Sequence, residues 1–175
     1  MINIACARFG DVNILINNAG VYRPVPLQET DAALMDYHYR VNQLGVFFGM
    51  KTVLESMKAA GGGAIVNISS QAALQGHPNM FAYTASKWAS RGMTRAAAAD
   101  LAPYNIRVNS VHPGAIDTPM LGIVSPEMVE AYTAVIPLKR FGSAEEVAQM
   151  VLYLASDASA YVTGAEFAIA DGLGA

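Results

Sequence analysis

Four short apolar segments alternate with long segments of helical periodicity along this 175-residue chain. The apolar segments lie at about residues 12–17, 64–69, 106–111 and 166–170, and their lengths suit strands that are buried on both faces. Parallel strands need long crossover connections, which are usually helices. The alternation therefore predicts an α/β fold, a doubly wound parallel sheet of about four strands with flanking helices, in a single domain over residues 1–175.

The helical segments carry their own boundary signals. Apolar residues recur at helical spacing from about 35 to 59, and a second long helix fits residues 82–102. Ser143 and Glu146 have the spacing of a capping box, which predicts a helix that starts there. We expect residues 119–137 to form a loop with one short helix.

Three polar residues in the middle of the chain predict a reactive site. Tyr83 and Lys87 are four residues apart, so on a helix they share a face and the cation favours the phenolate of a group that otherwise titrates near ~10. Ser70 follows the apolar segment at 64–69, and open α/β sheets bind ligands at the carboxyl ends of their strands. The trio predicts a site that reduces a carbonyl or oxidises an alcohol.

Composition and charge exclude several other classes of protein. The formal net charge is −3 and only 14% of residues are charged, which argues against a nucleic-acid partner. The sequence has no apolar run of membrane-spanning length and no signal peptide pattern, so we expect a cytoplasmic protein without a membrane partner. A single cysteine and three scattered histidines predict no metal site.

Several further motifs appear in a fixed order along the chain. Taken together, they resemble the short-chain dehydrogenase/reductase family from about residue 8 to the C-terminus. The segments that carry the resemblance are Asn17-Asn18-Ala19-Gly20, Asn42 in Val41-Asn42-Gln43, Asn67-Ile68-Ser69-Ser70, the Tyr83/Lys87 pair, Pro113-Gly114 and Thr118.

The resemblance implies a catalytic set of Ser70, Tyr83, Lys87 and Asn42. Tyr83 would exchange a proton with the substrate oxygen, which Ser70 would hold, with Ser69 as the alternative hydroxyl. Asn42 would mark a backbone distortion in its helix that holds a water relaying protons to Lys87. The alternative for this asparagine is a helix-face side chain that is hydrogen-bonded to the sheet.

The resemblance also implies a nicotinamide cofactor. Its glycine-rich opening turn is not found in this sequence, so the expected fold is the C-terminal portion of an incomplete Rossmann-like sheet. The residue that would choose between NAD and NADP belongs to the same unmatched part; the resemblance therefore implies NAD or NADP, with NAD slightly favoured. The expected cofactor-binding residues are Asn18, Ala19, Gly20, Tyr83, Lys87, Pro113, Gly114, Ile116 and Thr118.

The function implied is an NAD(P)-dependent oxidoreductase that interconverts a secondary alcohol and a ketone, of a hydroxysteroid or 3-oxoacyl type. The alternative is a non-catalytic truncated remnant, or a dimerisation module, that cannot bind the dinucleotide. Family resemblance implies a homo-oligomer, either a dimer or a tetramer. His112 stands one residue before Pro113-Gly114, and we expect it to have a packing or hydrogen-bonding role.

Overall fold

The computed structural model of the chain describes residues 2–120 and 125–172. The strands are β1 (Ile14–Asn17), β2 (Gly63–Ile68), β3 (Ile106–Pro113) and β4 (Glu166–Ile169). The α-helices are α1 (Ile2–Phe9), α2 (Ala32–His38), α3 (Gly45–Ala59), α4 (Phe81–Leu101), α5 (Pro126–Val135) and α6 (Ala144–Ala155), and a π-helical segment, Tyr39–Leu44, joins α2 to α3.

The strands form one parallel sheet in the order β1-β2-β3-β4. Asn17 pairs with Asn67 at the end of β1, and Pro113 pairs with Ile169 at the end of β3. All four carboxyl ends therefore meet at one edge of the sheet, where open α/β sheets place their ligands. The predicted α/β fold is confirmed.

The two faces of the sheet bury different helices. On one face Ile65 and Val108 pack with the buried residues of α3 and α4, and Val53 and Met57 of α3 are fully buried there. On the other face Val66 and Val111 pack against Leu154 of α6. Neighbouring residues of a strand point to opposite faces, which explains why β2 is almost continuously apolar in sequence.

The local helix signals are also confirmed. Ser143 accepts a hydrogen bond from the Glu146 N–H, and the Glu146 carboxylate accepts one from the Ser143 N–H, which completes the capping box of α6. Helix α5 lies inside the predicted loop at 119–137, of which residues 121–124 lie outside the described part.

A chain of hydrogen-bonded polar side chains crosses the core from β1 to α4. Asn17 Nδ2 donates to Asn67 Oδ1 at 2.8 Å, and Asn67 Nδ2 donates to Thr94 Oγ1 at 2.9 Å. Asn67 and Thr94 are fully buried. Buried polar groups are costly unless they are paired, so this chain fixes the position of β1 relative to β2 and α4.

Gly49 of α3 gives a test of this arrangement. A Cβ at Gly49 would overlap Asn17 Oδ1, so we expect Gly49→Ala to lower the free energy of unfolding by about 1–3 kcal/mol in urea denaturation. Gly92→Ala in α4 is the matched control, since a Cβ there meets no atom within 4 Å. It should leave stability unchanged or raise it by up to about 1 kcal/mol. Equal losses in both variants would contradict the close contact.

Large apolar side chains remain exposed on two parts of the surface. Ile14 and Ile16 of β1 are exposed on the face opposite Leu15, which packs into the core. Phe48 of α3 and Trp88 of α4 are also about half exposed, at 55% and 46%. In the part of the chain that the structure describes, no helix combines the length and the apolar character needed to cross a membrane.

Candidate active site

Asn42 lies in the π-helical segment between α2 and α3. Its Oδ1 accepts a hydrogen bond from the Val21 N–H at 2.8 Å, and its Nδ2 donates to the Val21 carbonyl at 2.9 Å and to Ser86 Oγ at 3.0 Å. Through these hydrogen bonds, the buried Asn42 amide links the loop that follows β1 to helix α4. The π-helical turn is a backbone distortion of the kind that the family resemblance implies at Asn42. The Asn42 side chain bonds the loop after β1 and helix α4, and these partners, Val21 and Ser86, are not residues of the sheet.

The two serines after β2 point to different partners. Ser70 caps the short turn Gln71–Ala73, where its Oγ accepts from the Ala72 N–H at 3.1 Å, and its hydroxyl is also hydrogen-bonded to the Tyr83 side chain. Ser69 Oγ instead donates to the Lys87 carbonyl at 3.3 Å. Ser70 is therefore the hydroxyl that stands beside the phenol.

Tyr83 and Lys87 share one face of α4, as their spacing predicts. Lys87 Nζ lies 5.7 Å from the centroid of the Tyr83 ring and donates to the Ile68 carbonyl at 2.9 Å. The lysine is only 6% exposed, so its charge is held inside the protein at the end of β2. Such a buried cation next to a phenol is a feature of sites that move protons.

Burial dominates the titration of both groups. It raises the pKa of Tyr83, and the hydrogen bond with Ser70 opposes this rise. It lowers the pKa of Lys87 to about 8. From the sequence, we predicted that Lys87 would lower the pKa of the Tyr83 phenol. In the structure the pKa of Tyr83 is raised instead, because the loss of solvation outweighs the hydrogen bond with Ser70. The same loss of solvation disfavours the charged form of Lys87.

Two aromatic side chains that sequence reasoning missed enclose the Tyr83 ring. Tyr22 meets it edge-on with ring centroids 5.0 Å apart, and His38 lies 6.2 Å away. His38 is fully buried; its Nδ1 donates to the Leu34 carbonyl, and its Nε2 accepts from the Arg23 N–H. Burial raises the pKa of Tyr22 to about 12, so this neighbour stays an uncharged wall of the site.

The loop after β1 brings Gly20 against the same group of residues. A Cβ at Gly20 would lie 3.3 Å from Asn42 Oδ1 and 3.5 Å from Lys87 Nζ. Asn18 and Ala19 lead into this close approach from the carboxyl end of β1. The structure therefore brings Gly20, Asn42, Lys87, Tyr83 and Ser70 together in one place.

The other predicted cofactor-binding residues follow β3. Pro113 is its last residue, and the Gly114 N–H donates to the Ile169 carbonyl at 3.0 Å. Ile116 bridges to Gly142, and Thr118 Oγ1 donates to the Ile116 carbonyl at 3.5 Å. These residues lie beyond the carboxyl end of β3, on the ligand-binding edge of the sheet, and their contacts join β3 to β4 and to the start of α6.

Comparison with known proteins identifies the family. The family model described as enoyl-(acyl carrier protein) reductase matches residues 1–174. The chain belongs to the short-chain dehydrogenase/reductase family. The resemblance that the motifs carry is thereby confirmed.

Individual relatives within this family are similar over nearly the whole chain. Trans-4-hydroxycyclohexanecarboxylate dehydrogenase of Sinomonas cyclohexanicum is 42% identical over 171 residues, which are 98% of this chain and 64% of that protein. The 3-alpha-(or 20-beta)-hydroxysteroid dehydrogenase of Mycobacterium tuberculosis is 41% identical over 173 residues, with the same two coverages. The chain thus spans 64% of the length of these curated relatives.

A solved structure in the family has the same fold. Gluconate 5-dehydrogenase from Burkholderia cenocepacia, crystallised in complex with NADP and tartrate, superimposes with a TM-score of 0.93 at 33% identity. The match covers 98% of this chain and 68% of that one. The strands and helices described above are therefore those of a short-chain dehydrogenase/reductase.

Proposed function

We propose that this chain carries the catalytic half of an NAD(P)-dependent oxidoreductase that interconverts a secondary alcohol and a ketone. The observation that carries the proposal is the grouping of Ser70, Tyr83 and Lys87 at the carboxyl end of β2. The buried Tyr83 phenol is hydrogen-bonded to the Ser70 hydroxyl, and the Lys87 ammonium group lies 5.7 Å from the centroid of its ring. Relatives named as dehydrogenases support this function over a non-catalytic remnant or a dimerisation module.

In the direction of ketone reduction, Tyr83 gives its proton to the substrate oxygen as the carbonyl carbon is reduced. The raised pKa of Tyr83 keeps the phenol protonated at neutral pH, ready to act as the donor. Ser70 donates a hydrogen bond to the same oxygen and stabilises the negative charge that develops there. Lys87 stabilises the phenolate that remains after the proton has moved.

The residues at this edge of the sheet fit a nicotinamide dinucleotide. Bound here, the nicotinamide supplies or accepts a hydride. The Gly20 backbone lies against Lys87, whose ammonium group has donors beyond the one that binds the Ile68 carbonyl, and these suit ribose hydroxyls. The proposed contacts are made by Asn18, Ala19, Gly20, Tyr83, Lys87, Pro113, Gly114, Ile116 and Thr118. Either NAD or NADP is compatible with them.

We further propose that the substrate is an alcohol or ketone on an apolar ring. Tyr22 forms an uncharged wall beside Tyr83, and Tyr132 of α5 lies near enough to affect the pKa of Tyr22. Aromatic walls bind apolar rings through large contact areas. The two relatives described above are named for a hydroxycyclohexane carboxylate and for hydroxysteroids, which are ring alcohols.

Assembly into a homo-oligomer, a dimer or a tetramer, completes the proposal. Helices α3 and α4 expose Phe47, Phe48, Phe81 and Trp88. An exposed apolar surface of this kind is typical of a protein interface. Light scattering on the purified chain tests this assembly directly.

A fluorescence titration with NADH, and separately with NADPH, tests the proposed function. We expect saturable binding of at least one, followed by turnover of cyclohexanol or a hydroxysteroid, with an acyclic 3-oxoacyl thioester as the contrasting substrate. Ser70→Ala should bind the cofactor normally and lose turnover. Folded protein that binds neither dinucleotide would contradict the proposal and favour the non-catalytic alternative.

A further inference from the structure

His112 of β3 is fully buried between two hydrogen-bonding partners. Its Nδ1 lies 3.1 Å from the Ser70 carbonyl oxygen, and its Nε2 lies 2.8 Å from Ser110 Oγ. A carbonyl only accepts, so Nδ1 carries the hydrogen and Nε2 of the neutral ring accepts from the Ser110 hydroxyl. Burial lowers the pKa of His112, which agrees with a neutral imidazole. The predicted hydrogen-bonding role of this histidine is confirmed.

We propose that His112 is a positioning residue that fixes the direction of the Ser70 hydroxyl through the Ser70 carbonyl. Its effect on turnover rests on the proposed function, whereas its effect on the hydrogen bond between Ser70 and Tyr83 does not.

The backbone hydrogen bonds around Ser70 show what the bond from His112 Nδ1 adds. On the N-terminal side, the Ser69 N–H donates to the Val111 carbonyl at 2.8 Å, so the strand ladder holds the residue before Ser70. At Ser70 the chain leaves the ladder and enters the turn Gln71–Ala73. His112 follows Val111 in β3. Its side chain adds a hydrogen bond from β3 to the Ser70 carbonyl, one residue beyond the bond at Ser69.

The far end of the same turn has a second anchor. Arg91 Nη1 donates to the Ala73 carbonyl at 3.2 Å, and Arg91 Nε pairs with Glu166 of β4 at 2.8 Å. The Ala73 N–H also donates to the Ser70 carbonyl at 2.9 Å. His112 and Arg91 therefore hold opposite ends of one turn, and the Ser70 peptide group is held by two bonds to its carbonyl, one from the Ala73 N–H within the turn and one from His112 of β3. The bond from Nδ1 is the one that ties this carbonyl to the sheet.

Three substitutions separate positioning from packing. Asparagine places an amide nitrogen near the Nδ1 position and keeps the donor to the Ser70 carbonyl. Glutamine reaches towards Ser110 instead, and leucine fills the space without a donor. His112→Asn and His112→Gln form a matched pair, because both are polar amides, and they keep the test decisive if His112→Leu does not fold.

The first readout is the ¹³Cζ chemical shift of Tyr83 at pH 7 in protein labelled on tyrosine, assigned with Tyr83→Phe. Ser70→Ala defines the shift of a phenol that has lost its serine partner. We expect His112→Asn to keep the wild-type shift and His112→Gln and His112→Leu to move towards that of Ser70→Ala. Equal shifts in the asparagine and glutamine variants, or no movement in any folded variant, would overturn the proposal.

The second readout is turnover, measured as kcat against KM. We expect kcat to fall roughly tenfold in His112→Gln and by less than about twofold in His112→Asn, the scale of one hydrogen bond lost from a site. The KM for the dinucleotide should not change. If wild-type protein has no turnover, the proposed function fails while the NMR comparison still decides the role of His112.

Discussion

Turnover by Tyr83→Phe should fall by roughly 10²–10⁴-fold, because the substitution removes the hydroxyl that we propose exchanges a proton with the substrate oxygen. The phenyl ring keeps its contacts with Tyr22 and His38, so the shape of the site is preserved. Any loss of cofactor affinity should therefore be small beside the loss of turnover, and the free energy of unfolding should stay close to wild type. Steady-state kinetics with a ring alcohol, together with the NAD(P)H titration, measure both effects.

Tyr104→Phe is the matched control for this substitution. Tyr104 is exposed and its ring contacts Lys58 on the surface, so the loss of its hydroxyl should leave kcat unchanged. Wild-type rates in Tyr83→Phe would end the assignment of Tyr83 as the proton donor, whatever the control shows.

Lys87→Met should abolish turnover and yet stabilise the fold at pH 7. Burial lowers the pKa of Lys87 from 10.5 to about 8, so below that value the folded protein carries a charge that would be better solvated in the unfolded chain. Removing the charge should raise the free energy of unfolding by on the order of 1–3 kcal/mol, after the loss of the bond to the Ile68 carbonyl.

The stability that Lys87→Met gains over wild type should depend on pH. Between pH 8 and 10.5 the unfolded chain binds a proton at this lysine that the folded protein has released, so wild-type stability rises with pH through that window. The advantage of Lys87→Met should be largest below pH 8 and should vanish near 10.5. Urea denaturation at several pH values measures it, with exposed Lys51→Met as control. A variant that is less stable than wild type at pH 7 would contradict the buried charge.

The elements of the fold were predictable because their signals are local. The apolar runs mark each strand to within about two residues, and Ser143 with Glu146 marks the start of α6 in advance. Asn42 was a signal too, since an asparagine in the middle of a helical pattern needs a reason, and the π-helical segment contains it.

The remainder of the site depends on contacts between residues that are distant in sequence. Tyr22 and His38 surround Tyr83 only after the loop that follows β1 folds back onto α4, and nothing in their local sequence predicts this. The link from His112 to Ser70 joins a residue of β3 to one that lies two positions beyond the end of β2. One available signal was a polar residue within an apolar strand: Asn67 and Ser110 both interrupt such runs, and both hydrogen-bond inside the core.

The order of the sheet has a consequence for how the chain reaches its native state. Each strand pairs with the next one along the sequence, so the sheet can grow by adding one strand and its helix at a time. A chain that leaves the ribosome N-terminus first offers β1, then β2, then β3 in the order in which they pair. The proposed catalytic residues Ser70 and Tyr83 lie between β2 and β3, so they can meet before β4 has been synthesised.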